Sequence, residues 1–348
     1  MDKTFKSLDE QMEIMRNKGL VIENESYCKE VLFRENYFFI NGYRRTFMKN
    51  KDKSRFIPGT KFEEVYSLFL FDRTLRNILF KNILIIENNI KSIISYQLSK
   101  KYGYHEKDYL KPSNFNNSFE NRKQVSDLLS KMKRQIKNNA VTHSATRHYA
   151  TNYGYIPMWV LVKVLSFGIV VDMFSVLKKE DQYDITEIYD LDLNTFITYL
   201  NILSNYRNLC AHEDIIYDNR TQKFIDDTVY HRKLHIPMMD NEYIYGKNDL
   251  FALIIIINSF LKEEEVKSLV LELEAAISNL EYNLRSIPVA KVLDTMGFPE
   301  NWSDIQNIAK KELFWWKKRK KLSLFLMINL MNLRKLLKRK KRKKEKNL

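Results

Sequence analysis

Between Phe62 and Lys100 the chain runs without a single glycine or proline. A run of that length, rich in Leu, Ile and Phe, leaves no room for the tight turns of a many-stranded β fold. It predicts one long helix, or two in succession, stopped at Gly103. Asp72, Arg73, Arg76, Glu87 and Asn88 interrupt its apolar surface. Polar groups on so apolar a helix need partners. They either line a polar groove or form a buried ion-pair network between helices.

The remaining segments read the same way. Only 8 Gly and 6 Pro occur in 348 residues, and the 45% apolar content is enough for a core, so the expected fold is all-α. Ser7 and Glu10 have capping-box spacing at the start of a first helix that Gly19 ends. The aromatic-rich segment KEVLFRENYFFINGYRRTF follows; its Tyr and Phe are read as core and Asn41-Gly42 as a turn. A surface helix is expected near residues 119–139. Next come a loop carrying His143, His148 and Tyr149, and a helical segment with Pro157 at its first position. The helix TFITYLNILSNYRNLCAH precedes an irregular polar stretch, and two more helices, NDLFALIIIINSFL and EEEVKSLVLELEAAISNLEYNL, close the body. The expected organisation is a helical domain over 1–225, a helical extension over 226–309 and a basic tail over 310–348.

The formal charge of +15 is not spread evenly. Seventeen Lys/Arg and two acids lie from Lys310 onward, so the tail carries the whole excess while 41 bases balance 41 acids in the rest. In the tail, Trp315 and Trp316 precede Lys317, Lys318 and Arg319, and twelve mostly apolar residues separate two basic blocks. That interval is too short to span a bilayer. The tail can bind RNA phosphates, lie on an anionic membrane surface as a peripheral contact, or remain a solvated extension. The polar, charged start MDKTFKSLDEQMEIM does not read as a secretion signal, and two cysteines, Cys28 and Cys210, suit a reducing compartment. A cytoplasmic location is therefore expected. Six scattered His show no zinc spacing, so neither a metal nor a cofactor is expected.

One helix carries a pattern with chemical content. At 100° per residue Phe196, Tyr199, Leu203, Tyr206 and Cys210 form one apolar stripe. Opposite lie Asn201, Asn205, Asn208 and His212, polar but uncharged, which suggests a groove or an interface. Arg207 sits nearer the core stripe, with Glu87 as one residue able to hold it. Arg207 and His212 form R-x-x-x-x-H. A histidine can take the proton from a ribose 2′-OH or donate one to the leaving 5′-oxygen, and an arginine can hold the phosphate. The product of such chemistry is a 2′,3′-cyclic phosphate. The same residues also suit a plain helix end, with His212 a satisfied polar group and Arg207 a salt-bridge partner. Because the two side chains point in different directions, a site built from two copies of the helix suits the pattern better than one copy.

From about Ser7 to Trp302 the order of segments resembles the Abi family of bacterial phage-defence proteins, in its AbiD/AbiF-like group. The resemblance rests on LDEQMEIMRNKGL, ENYFFINGYRRTF, FEEVYSLFLFDRTLRNILFKNILIIENNI, PMWVLVKVLSFG, YRNLCAH, NDLFALIII and MGFPENW. It implies a HEPN-like helical bundle with Arg207, Asn208 and His212 as a ribonuclease motif, Asn208 orienting the imidazole or touching RNA. Kinship with the HEPN nucleases of type VI CRISPR effectors, which use two motifs in one chain, implies a homodimer for a chain with one. A toxin restrained by a small structured antitoxin RNA is the implied role. Asn201, Asn205, Arg73, Arg76, Glu87, Lys317, Lys318 and Arg319 are the expected groove-lining or RNA-binding residues. A non-catalytic RNA-binding or membrane-surface protein is the alternative.

The charge asymmetry generates a first prediction. Removing residues 310–348 is expected to weaken RNA binding and flatten its salt dependence, while cleavage at saturating RNA persists. Binding to RNA and to anionic liposomes at two salt concentrations checks this. Loss of liposome binding alone would assign the tail to a membrane, and unchanged binding to both would leave it a solvated extension.

Overall fold

The long uninterrupted run forms one helix of 41 residues, about 60 Å from end to end. The computed structural model describes residues 4–49 and 54–308 of the chain. Along it, α1 (Leu8–Asn17), α2 (Glu25–Glu35) and α3 (Tyr37–Gly42) lead into a 3-10 turn, Tyr43–Phe47. The long helix is α4 (Phe62–Tyr102), followed by α5 (Glu106–Tyr109), α6 (Arg122–Thr142), α7 (Ser144–Tyr153), α8 (Met158–Val164), α9 (Phe167–Ser175) and α10 (Lys179–Thr186). Then come α11 (Leu193–Ala211), α12 (Val229–Lys233), α13 (Leu250–Phe260), α14 (Glu263–Asn283) and α15 (Val289–Met296). A two-residue antiparallel pair, β1 (Met238–Met239) with β2 (Glu242–Tyr243), sets Met238 opposite Tyr243. The all-α expectation therefore holds.

Leu75, Leu79, Ile83, Ile86, Ile90, Ile94 and Leu98 recur at three- and four-residue steps on α4 and are all buried. That stripe packs on α8, α11 and α14, so α4 is the axis on which the other helices are laid. Glu64 fixes its start. One carboxylate oxygen accepts the Lys61 N–H (3.1 Å), and the other accepts the N–H groups of Arg285 (2.6 Å) and Ser286 (2.7 Å). A single buried side chain thus caps α4 and anchors the chain after α14. Gly103, at φ +92°, stops the helix as expected. Helix α13 is buried on all sides, which explains why LFALIIII lacks amphipathic periodicity. No helix among the described residues is long and apolar enough to cross a membrane.

Several local expectations fail for physical reasons. Asn41-Gly42 is not a turn: Gly42 has helical φ (−58°) and α3 continues into the 3-10 segment. The glycine is needed for space, because Ile215 Cδ1 lies 2.6 Å from where a Cβ would stand. His143 stands at the N-cap position of α7, and His148 and Tyr149 lie on that helix, not in a loop. Pro157 is the N-cap of α8, one position before the first helical residue. Ser166 interrupts the next segment, accepting the Ile169 N–H (3.4 Å) to start α9.

The irregular stretch after α11 is better packed than its polarity suggests, and His231 is at its centre. Its Nε2 donates to Gly246 O (2.9 Å) while Nδ1 accepts the Thr228 N–H (3.0 Å), which fixes a neutral ring. Burial pushes its pKa down from 6.5 to about 4. Between those values the unfolded chain binds this proton and the folded chain does not. The ring's contribution is therefore whole above pH 6.5 and is lost as pH falls toward 4, a change of up to about 3 kcal/mol. The melting-temperature gap between the native chain and His231→Gln is expected to narrow from pH 7 to pH 5. A gap independent of pH would contradict the buried neutral ring.

Candidate active site

Helix α11 starts at Asp192, whose carboxylate accepts the Thr195 N–H (3.0 Å) and hydroxyl (2.7 Å). Phe196, Tyr199, Leu203, Tyr206 and Cys210 are all buried, as the periodicity requires. Of the opposite stripe, Asn205, Asn208 and His212 are exposed. Asn201 is half-buried and donates to its own helix at Ile197 O (2.7 Å). His212 is the C-cap residue, its N–H bonded to Asn208 O (3.0 Å).

The chain turns sharply just after His212. Glu213 takes a left-handed conformation (φ +58°), and the Asp214 N–H returns to Leu209 O (3.1 Å). A residue other than glycine pays about 1 kcal/mol for that conformation and keeps it only where the surroundings impose it. Here α4 imposes it. Asp72 accepts the N–H groups of Ile216 (3.3 Å) and Tyr217 (2.9 Å), and Arg76 donates to Asp214 O (3.2 Å). Asp72 and Arg76 are themselves paired at 2.5 Å, and the Tyr43 hydroxyl donates to the same carboxylate (2.7 Å). Tyr43 stacks on Tyr217 (5.7 Å between centroids, 20° between planes), whose hydroxyl bonds Thr46 (2.9 Å). Burial pushes the Asp72 carboxyl up to about 6, against the pull of Arg76.

This clamp sets His212 beside a groove of about 890 Å³. Its walls are the segment from α2 to the 3-10 turn, the first half of α4, and residues Ala211–Ile215. Arg34, Arg44, Arg45, Arg73 and Arg76 line it, against the acids Glu35, Glu213 and Asp214. Arg73 is held by Glu35 through two bonds (3.0 and 2.6 Å) and lies over the Phe69 ring. Phe38 and Phe39 stand on the rim, 75% and 56% exposed.

Arg207 is elsewhere. Its Nε is 3.5 Å from Glu87 Oε2, its guanidinium faces the Phe80 ring, and Glu87 is bonded to Lys91 (2.6 Å). Of the expected groove residues, Arg73 and Arg76 line the wall with His212. Arg76, however, is only 3% exposed and committed to Asp72. Glu87 sits with Arg207 outside the groove, and Asn201 is turned to its helix. Lys317, Lys318 and Arg319 lie outside the described residues. The reading of the N-terminal aromatics as core holds for Tyr43 and Phe47 but is corrected for Phe33, Phe38 and Phe39, which are exposed. The groove arginines Arg34, Arg44 and Arg45 were not expected either. Their signal was available: the stripe Ile40–Tyr43–Phe47 leaves Phe38 and Phe39 on another side, next to an Arg-Arg pair. A second group of rings lies near the far end of α4, where His105 meets Tyr155 (4.0 Å) and Tyr153 meets both Tyr149 (5.3 Å) and His148 (5.9 Å).

These features define an all-helical protein whose exposed histidine is fixed at a clamped helix end beside an arginine-lined groove. A model of the family described as Abi-like protein matches residues 30–218, more than half of the chain, and the chain belongs to that family. The family is associated with abortive infection, a defence against phage. The matched span contains α3, α4 and α11, and ends one residue past Tyr217, which Asp72 holds. Neither the search of curated proteins nor that of solved structures returned a match.

The clamp makes a prediction of its own. Arg76→Ala leaves the Asp72 carboxylate buried without its cation and is expected to lower stability by about 3 to 5 kcal/mol. Urea unfolding measures this. A loss below about 1 kcal/mol, the scale of a surface pair, would mean that the pair does not hold the helix end.

Proposed function

We propose that this chain is a HEPN-type endoribonuclease toxin of phage defence, acting without a metal in the bacterial cytoplasm. The observation that carries the reading is the position of His212: exposed, fixed by the clamp, and opening on a groove lined by arginines. An imidazole so placed takes the proton of a ribose 2′-OH. The 2′-oxygen then attacks the adjacent phosphorus, the bond to the 5′-oxygen breaks, and that oxygen leaves with the proton that the imidazolium returns. The products are a 2′,3′-cyclic phosphate and a 5′-hydroxyl. A guanidinium stabilises the charge that gathers on the phosphate.

Arg207 supplies that guanidinium in a dimer. Within one chain it lies against Glu87 and Phe80, apart from the His212 groove. Two α11 helices meeting along Asn201, Asn205, Asn208 and His212 bring the Arg207 of one copy toward the His212 of the other. Asn208, one turn before His212, orients the ring or contacts RNA. A small structured RNA that occupies the groove restrains the toxin until infection. The pairing of Arg207 with Glu87 also favours a second reading, in which Arg207 is structural and the groove binds RNA without cutting it.

The two readings separate in one assay. In buffer containing EDTA the purified chain is expected to cut RNA to cyclic-phosphate and 5′-hydroxyl ends, and His212→Ala and Arg207→Ala to lose at least 100-fold in rate. Mixing the two inactive variants is expected to restore cleavage that neither has alone. Full activity of either folded variant, or no cleavage by the native chain with RNA binding intact, refutes the nuclease reading.

A further inference from the structure

We propose that Phe38 and Phe39, with Arg44 and Arg45, form a recognition site for unpaired nucleotides, so that the groove takes single-stranded RNA and rejects duplex. The proposal rests on the reading of the groove as an RNA site and adds to it the form of RNA accepted and the residues that select it.

Exposed phenyl rings need an explanation here. Phe38 and Phe39 are adjacent in sequence, their centroids 6.0 Å apart and their planes at 67°, on a short helix that buries only Ile40. They therefore present π-faces in two directions to whatever enters the groove. Neither ring is needed for the core below it, which Ile40, Tyr43 and Phe47 fill at 0–1% exposure. Asn36, at φ +66°, starts that helix by accepting the Phe38 N–H (2.9 Å), so the rings are carried on a fixed turn.

The charges beside the rings decide what the occupant is. Arg73 and Arg76 are already committed to Glu35 and Asp72. Arg45 is held less tightly: its side chain is 84% exposed and the Asp218 carboxylate lies 3.4 Å away. Arg44 lines the same wall. Exposed rings beside arginines match a ligand whose apolar faces alternate with anionic links, which is the constitution of a single strand. Stacking is sequence-tolerant, since every base has a π-face, and arginines track the backbone. In a duplex the base faces are occupied by their neighbours, so the rings have nothing to stack on. A protein partner would be drawn to the rings as well, but a surface helix of ordinary composition gives the arginines no regular anion.

The test uses the full chain carrying His212→Ala, so that bound RNA stays intact. The probes are a mixed-sequence oligoribonucleotide as a single strand and the same sequence as a blunt duplex. Phe38→Ala and Phe39→Ala are each expected to weaken single-strand binding roughly 10-fold and to leave duplex binding unchanged. Phe39→Tyr, which keeps the ring, is expected to restore affinity. Arg44→Gln and Arg45→Gln are each expected to weaken single-strand binding and to reduce its log–log salt slope by roughly one. Equal affinity of the Phe→Ala variants for the single strand overturns the proposal and leaves the groove to a different ligand, such as a protein. If the native chain cuts RNA and the Phe→Ala variants cut single strands with unchanged KM, the recognition site fails while the nuclease reading stands. If the native chain cuts nothing but the affinities fall as expected, the nuclease reading fails while the recognition site stands.

Discussion

The ion pair of Asp72 and Arg76, buried at 0% and 3% exposure, joins three parts of the chain that are distant in sequence. It sits inside α4, takes the Tyr43 hydroxyl from one side, and grips the backbone of Asp214, Ile216 and Tyr217 from the other. Burying a charge pair costs more than its mutual attraction returns unless the remaining hydrogen-bonding capacity is filled. Here it is filled by main-chain groups of the segment that follows α11, which would otherwise be buried without partners. Ionised Asp72 is kept at a cost. With its pKa raised to about 6 in the fold, it favours the folded state less above that pH than below the 3.8 of a free side chain. A hydrophobic pair would pack as well and would lose the grip on the turn. The non-helical wall of the groove beside His212 is therefore tied directly to α4.

Much of this architecture was legible in the sequence, for simple reasons. A run without breakers declares its extent, so a helical stretch from Phe62 to its stop at Gly103 could be read, though not whether it was one helix or two. The stripe Phe196–Tyr199–Leu203–Tyr206–Cys210 is a periodic signal, and periodicity survives any packing arrangement. The same signal put Asn205, Asn208 and His212 on the exposed side. The ion-pair reading of Asp72 and Arg76 was one of two left open, because the sequence of a helix shows that a polar residue interrupts an apolar face but not what it meets. Its partners, Tyr43 and the backbone of Ile216 and Tyr217, are 29, 144 and 145 residues away from Asp72.

What escaped the sequence shares one character: residues placed by a neighbour rather than by their own element. Asn41-Gly42 has the composition of a turn, and only the approach of Ile215 shows that the glycine serves clearance. Phe38 and Phe39 have the composition of a core, and their exposure follows from the shortness of α3, which has one buried position to give. His231 carries no motif at all, yet two hydrogen bonds and complete burial hold it neutral. In each case local propensity was a weak prior that the tertiary environment outweighed.

The separation of Arg207 from His212 bears most directly on how such a site can work. Five residues apart on one helix, the two side chains differ by about 140° in direction, and the fold does not correct this. It gives Arg207 an acid, Glu87, whose other oxygen is taken by Lys91, and it gives His212 to a groove built from α3 and α4. Glu87 and Arg207 meet at 3.5 Å, a contact through which neither Glu87 Oε2 nor Arg207 Nε completes a hydrogen bond. The Arg207 side chain is 30% exposed, so part of its guanidinium is open to solvent or to a ligand. In the proposed dimer, a phosphate beside a second copy's His212 would meet that guanidinium with little loss, because the contact given up to Glu87 is long and forms no hydrogen bond. On the proposed nuclease reading, Arg207 and His212 of one copy do not meet, and this is why that reading requires two copies.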